Sequence, residues 1–479
     1  MIEKRQFYID GAWTEALAGR DHEVIDPATE EPCAVIALGG QADTDAAVAA
    51  AKRALPGWMA TPAAERIALV EKLLAVYKSR AEELAQAMSL EMGAPIALSR
   101  ANQVGAGLFH LQNFVDAAKS FDFEAPFSDA YADTRLIHEA VGVCALITPW
   151  NWPMNQITLK VGAAAIAGCT MVLKPSEESP LSALLFAEFM DEAGFPKGVF
   201  NLVNGDGAGV GTQLSGHADV DMVSFTGSTR AGRAISKTAA ETLKRVHLEL
   251  GGKGANLIFA DADEKAVKRG VQHMMQNSGQ SCNAPSRMMV EAPIYDRVVE
   301  EAAAVAQAVK VGAPSEDGKH IGPVVNATQY EKIQGLIETG IKEGARLVAG
   351  GPGRPEGFNK GFYVRPTVFA DVTPEMTIAN EEIFGPVLSI MKFETEAEAV
   401  EVANDTPYGL TNYVQSQDVD RRHRMARQLR AGMVEMNGKS RAPGAPFGGM
   451  KQSGNGREGG ILGIHDFLEI KAVSGWAAE

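Results

Sequence analysis

Between Val141 and Leu250, five short apolar runs alternate with stretches of helical length and period: VGVCALI (141–147), TMVL (170–173), VFNLV (199–203), VDMVSF (220–225) and VHLEL (246–250). Repeated β–α–β alternation of this kind predicts a doubly wound parallel sheet, in which ligands bind at the carboxyl ends of the strands. A second alternation follows Gly251: ANLIFA, a helix through Met275, SRMMVEA, a long helix through Lys310, and strands near 364–369, 387–393 and 432–436. Two α/β units in tandem leave a cleft between them, and 479 residues are too many for a single core.

The flanking segments differ. Residues 5–40 read as short strands and turns, punctuated by Asp-Gly at 10–11, Asp-Pro at 26–27 and Gly-Gly at 39–40. Helical periodicity begins at Thr44, Pro62 suits a first helical turn, and Ile67, Val70, Leu73, Leu74 and Tyr77 form one apolar face. Ser79 with Glu82 makes a capping box for a helix that stops near Gly93. The polar stretch 121–138 and the C-terminal DFLEIKAV belong to neither unit, so they are expected to pair with each other and offer an edge to another subunit.

Sixty acidic residues against 45 basic give a formal charge of −15, which opposes association with nucleic acid or an anionic membrane. The charged N-terminus MIEKRQFYIDGAW does not read as a signal peptide, and the longest uncharged apolar stretch, Val161–Leu173, is too short to span a bilayer. A cytoplasmic protein is expected. Cys33, Cys144, Cys169 and Cys282 have no C-x-x-C spacing and no paired histidines, so neither a disulfide framework nor a metal site is expected.

Six stretches invite chemistry. In GQSCNAPSR (279–287) Cys282 reads either as a nucleophilic thiol or as a small buried hydrophobe. GDGAGVG (205–211) is glycine-rich but misses G-x-G-x-x-G, since Val210 stands at the third glycine. KPSE (174–177) follows a strand directly, where Lys174 and Glu177 could hold ribose hydroxyls, Glu177 repelling a 2′-phosphate; a solvated Pro turn explains it equally. FTGST (225–229) puts Gly and hydroxyls at a helix start, either as a pyrophosphate cradle or as a plain N-cap. PWNWPMN (149–155) brackets Asn151 between prolines, as an oxyanion donor requires and as an aromatic core turn also would. ELGGK (249–253) places Glu249 at a strand end, either a general base or a carboxylate satisfied by backbone amides.

Taken in order along nearly the whole chain, PWNWP, KPSE, FTGST, ELGGK, GQSC, EEIFGPV (381–387) and PFGGMKQSGNGRE (446–458) resemble the aldehyde dehydrogenase superfamily. The resemblance implies an aldehyde dehydrogenase-like α/β fold: a Rossmann-type nucleotide-binding domain (1–120 and 139–250), an α/β catalytic domain (251–450) and a small β oligomerisation element (121–138 and 465–479). It implies Cys282 as nucleophile, Glu249 as general base and Asn151 as oxyanion donor. Lys174 and Glu177 match the ribose pair, Ser228 the residue near the pyrophosphate, and Glu382 and Phe384 the nicotinamide contacts, with Thr148, Trp150, Phe225 and Gly227 taken as further cofactor contacts. The cofactor implied is NAD, with NADP as the alternative, and the assembly a homodimer or homotetramer.

The implied reaction oxidises an aldehyde to a carboxylic acid through a thiohemiacetal and a thioester on Cys282, hydrolysed by water that Glu249 activates. A coenzyme-A-acylating relative usually lacks Glu at this position, and a non-catalytic relative is expected to lose Cys282, Glu249 or Asn151. For the substrate, Trp152, Leu159 and Phe447 are expected along the tunnel. Lys439 and Arg441 in NGKSRAPGA (437–445) stand at its mouth, favouring polar or acid-bearing aldehydes unless both are merely solvated.

Overall fold

The computed structural model describes residues 1–17, 19–131 and 133–476. Its first large sheet has seven strands in the order Arg245–Glu249, Met222–Thr226, Val143–Ile147, Thr170–Lys174, Phe200–Leu202, Phe7–Ile9 and Ala12–Thr14. The first five run parallel, and the last two are an N-terminal hairpin added antiparallel to the edge. Strand register aligns Ile147 with Lys174, Phe225 with Ile147, and Thr226 with Glu249. The ends of four strands therefore open on one side of the sheet, and that side carries Thr148, Lys174, Thr226 and Glu249.

The second sheet also has seven strands: Arg346–Ala349, Thr367–Ala370, Val387–Phe393, Arg287–Glu291, Ala255–Ile258, Thr411–Gln415 and Met433–Met436. Only Arg346–Ala349 is antiparallel. Two three-stranded sheets complete the β structure among the described residues, one joining Ile2–Lys4, Glu31–Leu38 and Arg20–Asp26, the other Leu468–Ser474, Thr134–Ala140 and Glu124–Pro126. In the latter, the C-terminal strand pairs with Thr134–Ala140 in continuous antiparallel register, as expected of two strands foreign to both large sheets. Residue 132 and residues 477–479, at the margins of that expectation, lie outside the described residues.

The helix Pro153–Ala167 shows how the sequence directs the packing. Pro153 opens it at the first helical position, where no N–H is needed, and Gly168 ends it in the left-handed conformation. Every residue but Asn155 is buried, so its apolar composition all round reflects a helix enclosed on every side. The helix Ala63–Ser79 instead buries one stripe, including Ile67, Val70, Leu73, Leu74 and Tyr77.

Local expectations fail in two places. Ser79 is not a cap: its hydroxyl donates back to the Val76 carbonyl at 2.8 Å, and the next helix, Ala81–Met92, begins after Arg80 with no side-chain cap. A serine in a helix's last turn finds a local carbonyl more readily than the next helix's N–H groups. The helix expected through Lys310 spans Tyr295–Gln307. No helix among the described residues is long and apolar enough to cross a membrane.

Candidate active site

Asn151 sits in the turn between the strand Val143–Ile147 and the helix Pro153–Ala167. Its backbone carbonyl accepts from the Gln103 side chain at 3.1 Å and from Asn277 Nδ2 at 2.9 Å. Its own amide donates to the Gln280 carbonyl at 2.9 Å, leaving the second N–H of the same NH₂ group uncommitted.

Those contacts join the turn to the segment carrying Cys282. After the helix Ala266–Met275, Asn277, Ser278 and Gly279 all take left-handed conformations, a run that reverses the chain sharply. At Gly279 a side chain is excluded by space as well as by φ, since a Cβ would fall 2.1 Å from the Gly385 carbonyl oxygen. Successive residues are then clamped. Gln280 is buried, donating to Asn277 and accepting from the Val325 amide at 3.0 Å. The Trp152 indole N–H donates to Ser281 Oγ at 2.8 Å, and the Tyr413 hydroxyl to the Asn283 carbonyl at 2.6 Å. Cys282 lies between these fixed points, half-buried at the bottom of the cleft.

Cys282, Glu249 and Asn151 line one cavity of about 200 Å³, together with Trp150, Gly227, Ser228, Glu382 and Phe384. Burial, followed by the charges of Glu382 and Glu249, raises the Cys282 thiol above its ordinary range. Glu249 is buried, and neither carboxylate oxygen has a hydrogen-bond partner. Loss of solvation and then the charge of Glu458 hold it well above the ordinary carboxylate range, against Lys160 and Arg457. Room for the carboxylate depends on Gly448, where a Cβ would stand 2.7 Å from Glu249 Oε1.

Lys160 and Glu458 form a buried ion pair at 2.7 Å, with Lys160 also donating to Ser224 Oγ at 3.1 Å. Lys253, four residues after Glu249, is buried with no partner for its ammonium, and burial pulls its pKa down to about 7.

On the side of the cleft facing the first sheet, the Ser228 hydroxyl caps the helix Thr229–Ala239, accepting from the Ala231 amide at 3.2 Å, so the plain N-cap is present. Lys174 pairs with Glu177 at 3.0 Å, and the Thr148 and Thr226 hydroxyls are buried without partners. Opposite, Glu382 accepts from the Gly252 amide at 2.8 Å, while Lys332 and Gln329 donate to the carbonyls of Glu382, Ile383 and Phe384. Those bonds hold Phe384 at a φ of 59° with its ring edge-on to Trp150. Within the glycine-rich stretch 205–211, Gly207–Gly211 form a wide π-type turn whose N–H at Gly209 is taken by Asp206, and it lies outside the cavity.

Several of the expected site residues fall outside the lining of the Cys282 cavity. Phe225 is buried in the core beneath Gly227, whose added Cβ would touch its ring at 2.4 Å, so it supports the cavity floor from outside. Leu159 belongs to the core of the fully buried helix and lines neither the Cys282 cavity nor the small one beside it. Trp152 is likewise absent from both linings and serves the Ser281 contact instead. Lys439 stands exposed and lines neither cavity. By contrast Arg441 and Phe447 line the small second cavity with His110, the guanidinium lying 4.9 Å from the Phe447 ring centre and 3.5 Å from Glu435.

The residues that sequence reasoning missed are those without a local signature. His110 and Asn155 meet at 2.8 Å across helices 45 positions apart, and Lys160 and Glu458 across 298. Asn155 and Lys160 gave a hint, as polar residues inside a largely apolar helix.

The model of the aldehyde dehydrogenase family matches residues 13–473. The chain belongs to the aldehyde dehydrogenase family. Within it, the chain is similar to a protein from Pseudomonas sp. named 3-succinoylsemialdehyde-pyridine dehydrogenase, 51% identical over 99% of both chains. Its fold superposes on an aldehyde dehydrogenase from Bartonella henselae at a TM-score of 0.98 and 57% identity, covering 99% of this chain and all of that one. A mutant of aldehyde dehydrogenase C from Pseudomonas syringae, solved with NAD+ and octanal, superposes at 0.97 and 48% identity over 99% and 97% of the two chains. The aldehyde dehydrogenase family fold accounts for the two large α/β sheets and the cleft between them, and the enzyme is an oxidoreductase.

Proposed function

We propose that this enzyme oxidises an aldehyde to the carboxylic acid with NAD as hydride acceptor, through an acyl intermediate on Cys282 that water hydrolyses. The observation carrying this reading is the meeting in one cavity of a clamped thiol, an amide with a spare N–H, and a buried carboxylate free of partners.

The thiol is protonated at rest, because its enclosure and its acidic neighbours disfavour the thiolate. Glu249, itself raised, is a better proton acceptor than an exposed carboxylate, and it takes the thiol proton directly or through water. The sulfur attacks the carbonyl carbon, and the oxyanion formed is held by the free N–H of Asn151 and the backbone N–H of Cys282. When bound, the nicotinamide accepts the hydride released as the tetrahedral centre collapses. Glu249 releases the thiol proton to solvent, removes a proton from the water that attacks the thioester, and returns that proton to the departing sulfur, so the acid leaves with the Cys282 thiol restored.

The residues present fit a dinucleotide. The unpartnered Thr226 hydroxyl and the N-terminus of the helix Thr229–Ala239 suit phosphate oxygens, and Glu177 beyond the strand Thr170–Lys174 suits two ribose hydroxyls and repels a 2′-phosphate. Relatives solved with NAD+ support the choice of cofactor. The strand Leu468–Ser474 with Thr134–Ala140 is the element through which copies of the chain assemble as a dimer or a dimer of dimers, its outer edge pairing with no strand among the described residues.

For the substrate we favour polar or acid-bearing aldehydes. Loss of solvation pulls the His110 pKa down to about 4, and its Nε2 meets Asn155 Oδ1 at 2.8 Å. Arg441, which lines the same small cavity as His110, offers donors to a distal carbonyl or carboxylate, and a relative 51% identical is named for a semialdehyde. Glu435 offsets part of the Arg441 charge, so the preference is modest. An NADH-production assay comparing an aliphatic aldehyde with its ω-carboxylated counterpart tests it; equal kcat/KM contradicts it, and turnover dependent on added coenzyme A contradicts the hydrolytic route.

A further inference from the structure

A second concavity lies elsewhere. A groove of about 940 Å³ runs between the helices Ala266–Met275 and Tyr295–Gln307 and shares no lining residue with the Cys282 cavity. Its lining is largely apolar, with Leu98, Val305, Val309 and Ile321 among others, and also includes the exposed Lys268, Lys310 and Lys319 and the partly buried His273 and His320. No Asp or Glu lines it, in a chain with 60 of them and a net charge of −15. None of the three lysines takes part in an ion pair or a side-chain hydrogen bond among the described residues, although most surface cations elsewhere in the chain do. Asp317 nearby lines a separate groove with Arg100.

Three unpaired ammonium groups around an apolar trough complement one kind of small ligand: an anionic head on an apolar body. A neutral hydrophobe would leave the lysines without partners, and a simple inorganic anion would leave the trough wet. We infer that this groove is a second binding site, separate from the catalytic cavity, for an amphipathic carboxylate. The class is chemically close to the product of the reaction itself.

The site is also mechanically close to the nucleophile. His273, on the wall of the groove, lies edge-on to Tyr413 with ring centres 5.2 Å apart, and the Tyr413 hydroxyl donates to the carbonyl of Asn283, next to Cys282. Gln276, also on the wall, precedes the left-handed turn whose Asn277 side chain donates to the Asn151 carbonyl. A ligand seated against the helix Ala266–Met275 therefore touches the element that leads into the Cys282 segment and, through Asn277, bonds the Asn151 carbonyl, and its occupancy alters turnover without entering the catalytic cavity.

The test titrates octanoate, with octanamide as the neutral control, into the full-length enzyme saturated with NAD, by calorimetry and by steady-state kinetics. Octanoate is expected to bind at least ~10-fold more tightly than octanamide, to weaken with added salt, and to change kcat in a pattern not competitive with aldehyde. The triple variant Lys268→Ala/Lys310→Ala/Lys319→Ala should raise the octanoate Kd by at least ~10-fold while leaving kcat/KM without octanoate within about twofold, since all three side chains are exposed. The proposal is overturned by absence of octanoate binding, by equal binding of acid and amide, by unchanged affinity in the triple variant, or by purely competitive inhibition, which would put octanoate beside Cys282. A change of oligomeric state in the triple variant would overturn it too, marking the groove as an interface between copies of the chain.

Discussion

The Asn151 side-chain amide donates to the carbonyl of Gln280 at 2.9 Å, fixing the candidate oxyanion donor to the segment that presents Cys282 two residues later. Oxyanion stabilisation and nucleophile placement thus share one hydrogen bond. Asn151→Ala should lower kcat by ~10²–10³ with a much smaller effect on KM for NAD, as loss of one preorganised donor does elsewhere. Steady-state kinetics with both substrates varied would detect it; a fall confined to KM would show that Asn151 contributes binding alone.

Glu249→Gln keeps the shape of the buried side chain but removes the base. Steady-state turnover should fall by ~10²–10⁴. In the wild type, activity should rise with pH, because both the thiol and the Glu249 carboxyl are raised and both must lose protons. The part of that rise owed to Glu249 should vanish in the variant. A pH–rate profile of unchanged shape would remove Glu249 from the mechanism.

The Lys160–Glu458 pair is enclosed at 0% and 3% side-chain exposure, so removing one partner leaves a buried charge alone. Glu458→Leu should cost about 3–5 kcal/mol of stability, whereas the double change Lys160→Met/Glu458→Leu should recover much of it. Chemical denaturation of the three proteins decides, and equal losses in the single and double variants would mean that the ion pair is not the source.

Glu91 makes a pH prediction far from the cleft. Fully buried, it accepts from the amides of Leu181 and Ser182 at the start of the helix Pro180–Glu192, and burial pushes its pKa up to about 8. A carboxyl raised on folding contributes stability that is complete below its unfolded pKa of about 4.5 and is lost as pH rises through its folded value. The Tm difference between Glu91→Gln and wild type should therefore move in favour of the variant from pH 5 to pH 8. A constant difference across that window would show that Glu91 is ionised throughout.

How far the sequence discloses this enzyme can be judged from its strands. The five runs between 141 and 250 mark the five parallel strands of the first sheet to within a few residues, because buried parallel strands are apolar throughout. The strands Arg346–Ala349 and Thr411–Gln415 escaped notice: the first is an edge strand with exposed positions, and the second, TNYVQ, is buried but largely polar in composition. Cys282, Glu249 and Asn151 were legible since each stands in a local motif, and they converge on one cavity. The direction of Leu159 was not legible, because a helical turn of sequence gives a side chain's distance along the axis and not which neighbour it meets; it packs in the core. His110 was invisible for a related reason, and Glu458, although it closes the motif 446–458, gave no sign of its pairing with Lys160, both partners being chosen by the packing of distant helices and loops.

Covalent catalysis through Cys282 is tested most directly by intact-mass analysis of Glu249→Gln mixed with NAD and an aldehyde. Hydride transfer should proceed once, more slowly than in the wild type because the acceptor of the thiol proton is gone, releasing about one equivalent of NADH per subunit, and deacylation should then stall. The protein should gain the mass of the acyl group, mapped by peptide analysis to Cys282, and Cys282→Ala/Glu249→Gln should gain nothing. An unmodified Glu249→Gln enzyme after its NADH burst, or an acyl mass that persists when Cys282 is absent, would contradict the account.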